Sequence, residues 1–131
     1  MLKLYRCIVV GQPPRDEARL LAYLVKYADA ASVRILERPA PGALPIETRY
    51  RLIDARCGLS LLEVRLMTGR THQICAHLSH MGLPLLGDDK YGDREENHLR
   101  RVRQPQLWCV KIELLGRTFE SSPRFSCQVF E

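Results

Sequence analysis

A polar turn over residues 66–74, with the sequence Leu-Met-Thr-Gly-Arg-Thr-His-Gln-Ile, combines residue types that suit phosphate binding. Gly69 lets the backbone approach a partner closely, and a helix that starts after it presents free N–H groups. The helix dipole at such an end favours an anion by about 0.3–1 kcal/mol. Arg70 adds a planar donor fork, and His72 and Gln73 add donors in the first turn. The turn predicts a phosphate or nucleotide-edge site, and the residues alone leave open a solvent-facing polar helix start.

Cys75 raises two further kinds of chemistry. With His72 three residues away near a helix start, it is a candidate nucleophile. With His77 and His80 it forms a short run of metal-ligand types. Positions three and five apart on a helix do not converge on one ion, and the sequence shows no fourth ligand, so we predict no metal site.

Composition indicates one ordinary globular domain. The chain has 131 residues, of which 46% are hydrophobic and 27% charged. No stretch approaches the roughly 20 apolar residues of a membrane span, and the start lacks a secretory h-region, so we expect a soluble cytoplasmic protein. The cysteines are odd in number and scattered without a Cys-x-x-Cys pair, which predicts reduced thiols. They are Cys7, Cys57, Cys75, Cys109 and Cys127.

The charge balance is basic, with a net charge of +5 and a pI near 9.1. This is compatible with a polyanionic partner without requiring one. Four arginines crowd a polar stretch that also holds Glu95 and Glu96, and composition does not decide between a solvated loop and a phosphate-contacting loop. They are Arg94, Arg100, Arg101 and Arg103.

Hydrophobic periodicity predicts an α+β domain dominated by antiparallel sheet. Strands are expected at residues 5–10, 32–36, 47–55, 60–67 and 106–114, with residues 38–45 irregular because of their prolines. Residues 20–25 fit either a short helix or a buried strand. Cys57-Gly58 predicts a hairpin turn, and one apolar and one charged face on residues 60–67 predict a sheet covered on one side.

The period then changes to that of a helix over residues 71–81, where Ile74, Leu78 and Met81 recur at helical spacing. Thr68 or Thr71 is the expected N-cap, and Gly82 is placed to end the helix. Residues 83–88 should form a tight apolar segment. Residues 92–105 are expected to be a polar loop, and the chain should close with a strand and tail that contain Phe119 and Phe125.

The central motif resembles the signature of RluA-type RNA pseudouridine synthases. Thr-Gly-Arg-Thr-His-Gln-Ile over residues 68–74 is followed by His77-Leu78 and by Gly-x-Pro-Leu-x-Gly-Asp-x-x-Tyr-Gly over residues 82–92, in the family's order and spacing. Lys3-x-Tyr5 is similar to the strand that bears the family's active-site tyrosine. Thr48-x-Tyr50 and Arg103-Gln104 also match, so the resemblance spans nearly the whole chain.

This resemblance implies a catalytic domain that isomerises uridine in structured RNA, expected to be ribosomal, with no cofactor and no metal. In the family an aspartate attacks the nucleoside, and the uracil is released, turned and rejoined through carbon. Tyr5 matches the tyrosine that packs near the target base and takes part in proton transfer, which would require its pKa to be lowered from about 10. Lys3, Arg70, His72 and Gln73 are the implied RNA contacts.

Two departures from the family pattern bear on activity. The family aspartate lies in a His-Arg-Leu-Asp segment upstream of the tyrosine strand, and this sequence starts two residues before Lys3. We therefore expect residues 1–131 to be the C-terminal portion of the domain, without the nucleophile. Cys75 stands where the family usually has an arginine that pairs with that carboxylate, and cysteine cannot form such a pair. The aspartates present lack the family context, and Asp88 matches a turn position; they are Asp16, Asp29, Asp54, Asp88, Asp89 and Asp93.

Three functions follow as expectations for this chain. It is a family fragment that is inactive alone, or a catalytically silent RNA-binding module, or one half of a split enzyme. If the absent half supplies strands to the same sheet, an exposed edge should remain. We then expect self-association through that edge, or pairing with the missing N-terminal half.

Overall fold

The computed structural model describes residues 2–27, 32–70 and 72–130. Within these ranges nine elements follow one another along the chain: β1 (Leu2–Val10), β2 (Glu17–Lys26), β3 (Val33–Leu36), β4 (Leu44–Arg56), β5 (Leu59–Leu66), α1 (Gln73–His80), α2 (Arg94–Leu99), β6 (Leu107–Leu114) and β7 (Arg117–Glu120). The strands form one sheet in the order β3-β2-β4-β5-β1-β6-β7. All pairings between these strands are antiparallel, which confirms the predicted fold class.

The central strand β5 buries both of its faces. Successive side chains of a strand point to opposite faces, and β5 has apolar residues pointing to each face. Leu62 and Val64 pack on one face with Ile74 and Leu78 of α1. Leu61 and Leu59 pack on the opposite face, in a cluster that includes Leu86, Val102 and, from the C-terminal tail, Phe125. The prediction of a sheet covered on one side was therefore wrong for this part of the sheet, since distant segments of the chain cover the second face.

The predicted hairpin between β4 and β5 is confirmed. Cys57 and Gly58 have φ values of 56° and 75° and connect Arg56 directly to its partner Leu59. Two consecutive positive φ values match the twist of the flanking strands. The turn sets the register as far as Asp54 and Leu61, and a bulge between Leu52 and Asp54 then shifts it by one residue. Thr48 therefore lies opposite Leu66, at the end of β5 where the polar turn begins.

Three local predictions need correction or completion. Residues 20–25 belong to strand β2, whose backbone pairs with β3 on one side and β4 on the other. Pro45 lies inside β4 and not in the irregular stretch. Residues 92–105 contain the helix α2, whose N-cap Asp93 accepts a hydrogen bond from the backbone N–H of Glu96 at 3.1 Å. The Asp-x-x-Glu spacing of a capping box was the signal for this helix.

Helix α1 has an unusual beginning and an ordinary end. Its N-cap is His72, which has a left-handed conformation and makes no side-chain cap. The predicted cap by Thr68 was wrong because that hydroxyl is bonded elsewhere, and Thr71 lies outside the described residues. At the other end Gly82 has φ 81°, and Leu83 N–H donates to the Leu78 carbonyl at 2.8 Å, which is a Schellman motif with glycine at C′. None of the described helices is long and apolar enough to cross a membrane.

Candidate functional site

Gln73 fastens the polar turn to strand β4. Its side-chain oxygen accepts hydrogen bonds from the Thr68 hydroxyl at 2.8 Å and from the Arg70 backbone N–H at 3.2 Å. Its amide nitrogen donates to the Glu47 carbonyl and to the Thr48 hydroxyl, both at 3.0 Å. Only 1% of the residue is exposed, so the predicted contact of Gln73 with RNA finds no free donor at the surface. Its geometry gives it a positioning role for the turn.

His77 extends this buried network. Its Nδ1 lies 2.8 Å from the Thr48 hydroxyl oxygen, which already accepts the Gln73 amide proton. The assignment that satisfies these groups has Thr48 donating to Nδ1, which leaves the proton of the neutral ring on Nε2. Burial, and secondarily the neighbouring His80, lowers the pKa of His77 to about 4. The ring is therefore neutral at physiological pH and serves as part of the core.

His72 and Arg70 form the exposed part of the turn. The Tyr91 hydroxyl accepts the Val33 backbone N–H at 2.9 Å and lies 2.9 Å from Nδ1 of His72. The rings of His72 and Tyr91 also contact each other in a T-shaped arrangement, with centroids 5.5 Å apart. Tyr91 is anchored in turn because the Ser79 hydroxyl donates to its carbonyl. Arg70 is exposed, so its guanidinium and the outer edge of His72 face solvent together with the turn.

Strand β1 brings Lys3 and Tyr5 to the same sheet face as α1. Lys3 pairs with Leu66, the last residue of β5 before the turn, and Tyr5 pairs with Val64. Tyr5 packs against the same apolar cluster as Cys75. Burial, and next the nearby Cys109, raises the pKa of Tyr5 above its ordinary value. The lowered pKa that proton abstraction would need is therefore not provided by these surroundings, and Tyr5 stays protonated.

Cys75 is a poor nucleophile in this environment. Burial, followed by the adjacent Asp88, raises the pKa of its thiol to about 12. Thiolate, the reactive form, is then scarce near neutral pH. His72, the proposed base, directs its Nδ1 to Tyr91. The geometry and charge around Cys75 therefore disfavour the nucleophile hypothesis.

The residues considered as metal ligands diverge. His77 faces Thr48, while Nε2 of His80 lies 3.3 Å from a carboxylate oxygen of Glu37. Cys75 faces Asp88. Among the described residues no group of three or more histidine, cysteine or acidic side chains is arranged to hold a metal ion.

Asp88 occupies a structural turn beside Cys75. Its Oδ1 accepts the backbone N–H groups of Lys90 and Tyr91 at 3.0 and 3.3 Å. Its Oδ2 is buried and has no hydrogen-bond partner among the described residues. The Asp88 carboxylate lies near the position where the family pattern has an arginine, since it raises the pKa of the Cys75 thiol. Asp29 lies outside the described residues.

Comparison with known proteins agrees with this arrangement. The family model described as RNA pseudouridylate synthase matches residues 1–80, which contain β1, the polar turn and α1. The chain belongs to the RNA pseudouridylate synthase family. It is 40% identical over 104 residues to an uncharacterized RNA pseudouridine synthase of Chloroflexus aurantiacus, an alignment that covers 79% of this chain and 31% of the relative. It is 36% identical over 92 residues to the ribosomal large subunit pseudouridine synthase C of Vibrio cholerae, covering 70% of this chain and 28% of the relative.

Solved structures show the same fold. The human RNA pseudouridylate synthase domain containing 4 superimposes with a TM-score of 0.75 at 20% identity, covering 94% of this chain and 58% of that protein. The human domain containing 1 gives a TM-score of 0.73 at 22% identity and covers 54% of that protein. This chain thus spans about a third of the curated relatives and just over half of the solved ones.

The sequence did not indicate that Thr48, His77 and Tyr91 hold the turn in place. Thr48, Tyr91 and His77 were visible as family-pattern positions, and His77 also as a rejected metal ligand. Their partners lie 19 to 29 residues away in the chain, so no local spacing could have revealed the contacts. The available signal was the polar residue His77, which lies on the same side of the predicted helix as Ile74.

Proposed function

We propose that this chain forms part of the uridine-isomerising site of an RNA pseudouridine synthase that acts on structured ribosomal RNA. Support comes from the family match, from the name of the Vibrio relative, and from the geometry of one sheet face. On that face Tyr5 packs against the same apolar cluster as Cys75, and Lys3 lies across from Leu66, where the polar turn begins. The single observation that carries the proposal is this joint placement of the tyrosine strand and the turn that exposes Arg70 and His72.

In this proposal each exposed group has a limited task. Arg70 holds a phosphate of the RNA through its planar fork, and Lys3 and the outer nitrogen of His72 offer further donors. Tyr5, kept protonated, packs against the flipped uracil and can donate a hydrogen bond. The carboxylate that attacks the nucleoside must come from outside these 131 residues, because the sequence contains no His-Arg-Leu-Asp segment.

The reaction offers a direct assay. Joining C5 of uracil to the sugar expels the C5 hydrogen, so RNA labelled with tritium at C5 of uridine releases tritium on each turnover. We expect no release with this chain alone, and release when it is co-expressed with a His-Arg-Leu-Asp segment taken from a relative. Tyr5→Phe in the completed complex should reduce the rate. Release by the chain alone would contradict the assignment of the nucleophile to another segment.

Cys75 favours a second candidate, RNA binding without catalysis. A thiol cannot form the bidentate pair that a guanidinium forms with a carboxylate. If this candidate is correct, the complemented complex should bind a structured RNA in a salt-dependent way and lose affinity on Arg70→Ala, yet release no tritium. Recovery of tritium release by Cys75→Arg would show that this cysteine causes the lack of catalysis.

We further propose that the completing segment adds to the β6–β7 end of the sheet. Strand β7 pairs with β6 and is exposed along its whole length. Leu115 is 92% exposed and Phe119 58% exposed, so both strand edge and apolar side chains are available there. Without that segment a second copy should pair at this edge, which light scattering would detect as a dimer. A monodisperse monomer that retains the fold would count against the proposal.

A further inference from the structure

A basic cavity lies beside α2, at residues other than those of the polar turn. It is an open depression of about 1050 Å³ whose lining includes Arg94, His98, Arg101 and Arg103 together with Asp89. Three arginines and one histidine therefore line the cavity with a single acidic residue. The sequence had left these arginines undecided between a solvated loop and a phosphate-contacting loop.

The charges of this cavity are not neutralised by neighbouring carboxylates. Arg94 donates from Nε to the backbone carbonyl of Asp89 at 2.7 Å, and a carbonyl carries no net charge. Over residues 2–27, 32–70 and 72–130, no ion pair involves Arg94, Arg101 or Arg103. Arg100, by contrast, pairs with Glu96 at 2.8 Å and points elsewhere, toward the Cys57 carbonyl. The lining is therefore positive and open to an anion.

The backbone under the cavity is held rigidly. Asn97 is 2% exposed; its side chain accepts the Gly87 N–H at 2.7 Å and donates to the Asp88 carbonyl and the Asp89 carboxylate, both at 3.1 Å. Val102 is buried in the cluster on the second face of the sheet. Arg101 and Arg103 thus lie in a segment held by Asn97 on one side and by Val102 within it, which reduces the entropy lost when they bind a ligand.

Arg101 occupies a position that suits glycine better. Helix α2 ends in a Schellman motif, because Val102 N–H donates to the Asn97 carbonyl at 3.0 Å and Arg101 N–H donates to the His98 carbonyl at 3.1 Å. The C′ residue is Arg101, with φ 57°, whereas the same motif at the end of α1 has Gly82. A non-glycine residue in the left-handed region is strained, and such strain concentrates at functional positions. Arg101 therefore stands at a position where the backbone conformation favours glycine.

We propose that this cavity binds consecutive phosphates of the RNA backbone, as a second contact separate from the polar turn. This inference rests on the proposed function, since it takes RNA as the ligand. Guanidinium forks match phosphate oxygens in a bidentate way, and fixed positive groups in a depression suit a folded polyanionic chain. The cavity would position the RNA and would not read its bases.

The test measures binding of a fluorescein-labelled RNA stem–loop by anisotropy across a salt series, with the 131-residue chain. Arg101→Gly and Arg103→Gln are the test variants, and Arg34→Gln on β3 is the control. We expect each test variant to weaken binding about three- to tenfold and to lower the salt slope by about one. The control should bind like the unmodified chain. Arg101→Gly should also keep or raise the melting temperature, because glycine relieves the positive φ.

Other outcomes separate this inference from the proposed function. If the Arg101→Gly, Arg103→Gln double variant melts normally and keeps its affinity and salt slope, the cavity does not contact RNA and the inference is overturned. If binding then still depends on Arg70, the proposed function survives without it. If polyglutamate displaces the RNA as effectively as unlabelled RNA does, the cavity selects an acidic peptide, which also overturns the inference.

Discussion

Replacing Gly87 with alanine should destabilise this protein far more than the same change at Gly82. Both glycines have left-handed backbones, with φ values of 86° and 81°. A Cβ at Gly82 would meet nothing within 4 Å, whereas one at Gly87 would lie 1.9 Å from the carbonyl oxygen of Gln104. The two variants therefore share the conformational penalty and differ in the collision with the backbone.

The expected magnitudes follow from these two terms. Placing alanine in the left-handed region costs about 1–2 kcal/mol, which should be the whole effect of Gly82→Ala. At Gly87 the segment around Gln104 must move as well, and overpacking of this kind adds about 1–3 kcal/mol. We expect Gly87→Ala to lower the free energy of unfolding by about 2–5 kcal/mol, against about 1–2 kcal/mol for the control.

Urea unfolding followed by circular dichroism measures both variants against the unmodified chain. A second readout is RNA affinity under conditions where both variants stay folded, because displacement of residues 102–104 should disturb the basic cavity only in Gly87→Ala. Equal losses of stability in the two variants would refute the reasoning, since the contact between Gly87 and the 102–104 segment would then not exist in solution.

Three further predictions concern single side chains. Burial lowers the pKa of His77 to about 4, so on acidification this histidine is protonated in the unfolded chain before it is protonated in the folded one. The free energy of unfolding should therefore be highest above pH 6.5 and should decrease as pH falls toward 4. Urea titrations should show this decrease approaching about 3 kcal/mol in the unmodified chain and should not show it in His77→Asn. The same pH dependence of stability in both proteins would contradict the prediction. Iodoacetamide at pH 8 should modify exposed Cys57 well before Cys75, as peptide mass spectrometry can check; faster reaction of Cys75 would disprove its raised pKa. Asp93→Ala should lose about 1 kcal/mol of stability through the α2 cap while Asp93→Asn loses little, and equal losses would exclude the cap.

Much of the sheet could be predicted because its signals are local. Alternating apolar residues identified β4 and β5, and Cys57-Gly58 identified the turn between them. The helical stripe with Gly82 at its end identified α1 within two residues of its observed start. Strand β2 was undecided because a short apolar run has no distinctive period, and only its pairing with β3 and β4 settles it.

The family motif was readable in the sequence, but the orientation of its side chains was not. Gln73 and His72 are neighbours in the same motif, yet one is buried and fully bonded while the other faces solvent. Gln73 bonds to Thr48, which precedes the turn in the chain, and His72 bonds to Tyr91, which follows it. The resemblance alone could therefore not separate residues that position the turn from residues that are free to contact RNA.

The sequence by itself determined the family and the antiparallel strands, because these depend on residue type and short spacing. Only the tertiary structure decided which groups are available for chemistry. Burial beside Asp88 leaves Cys75 as an unreactive thiol, and burial in β1 keeps Tyr5 protonated. The tertiary structure also gathered Arg94, Arg101 and Arg103 around one cavity, because the hydrogen bond between Asn97 and Gly87 fastens α2 and the segment after it. Solvation and charge at each site are set by segments distant in sequence, and no local pattern encodes them.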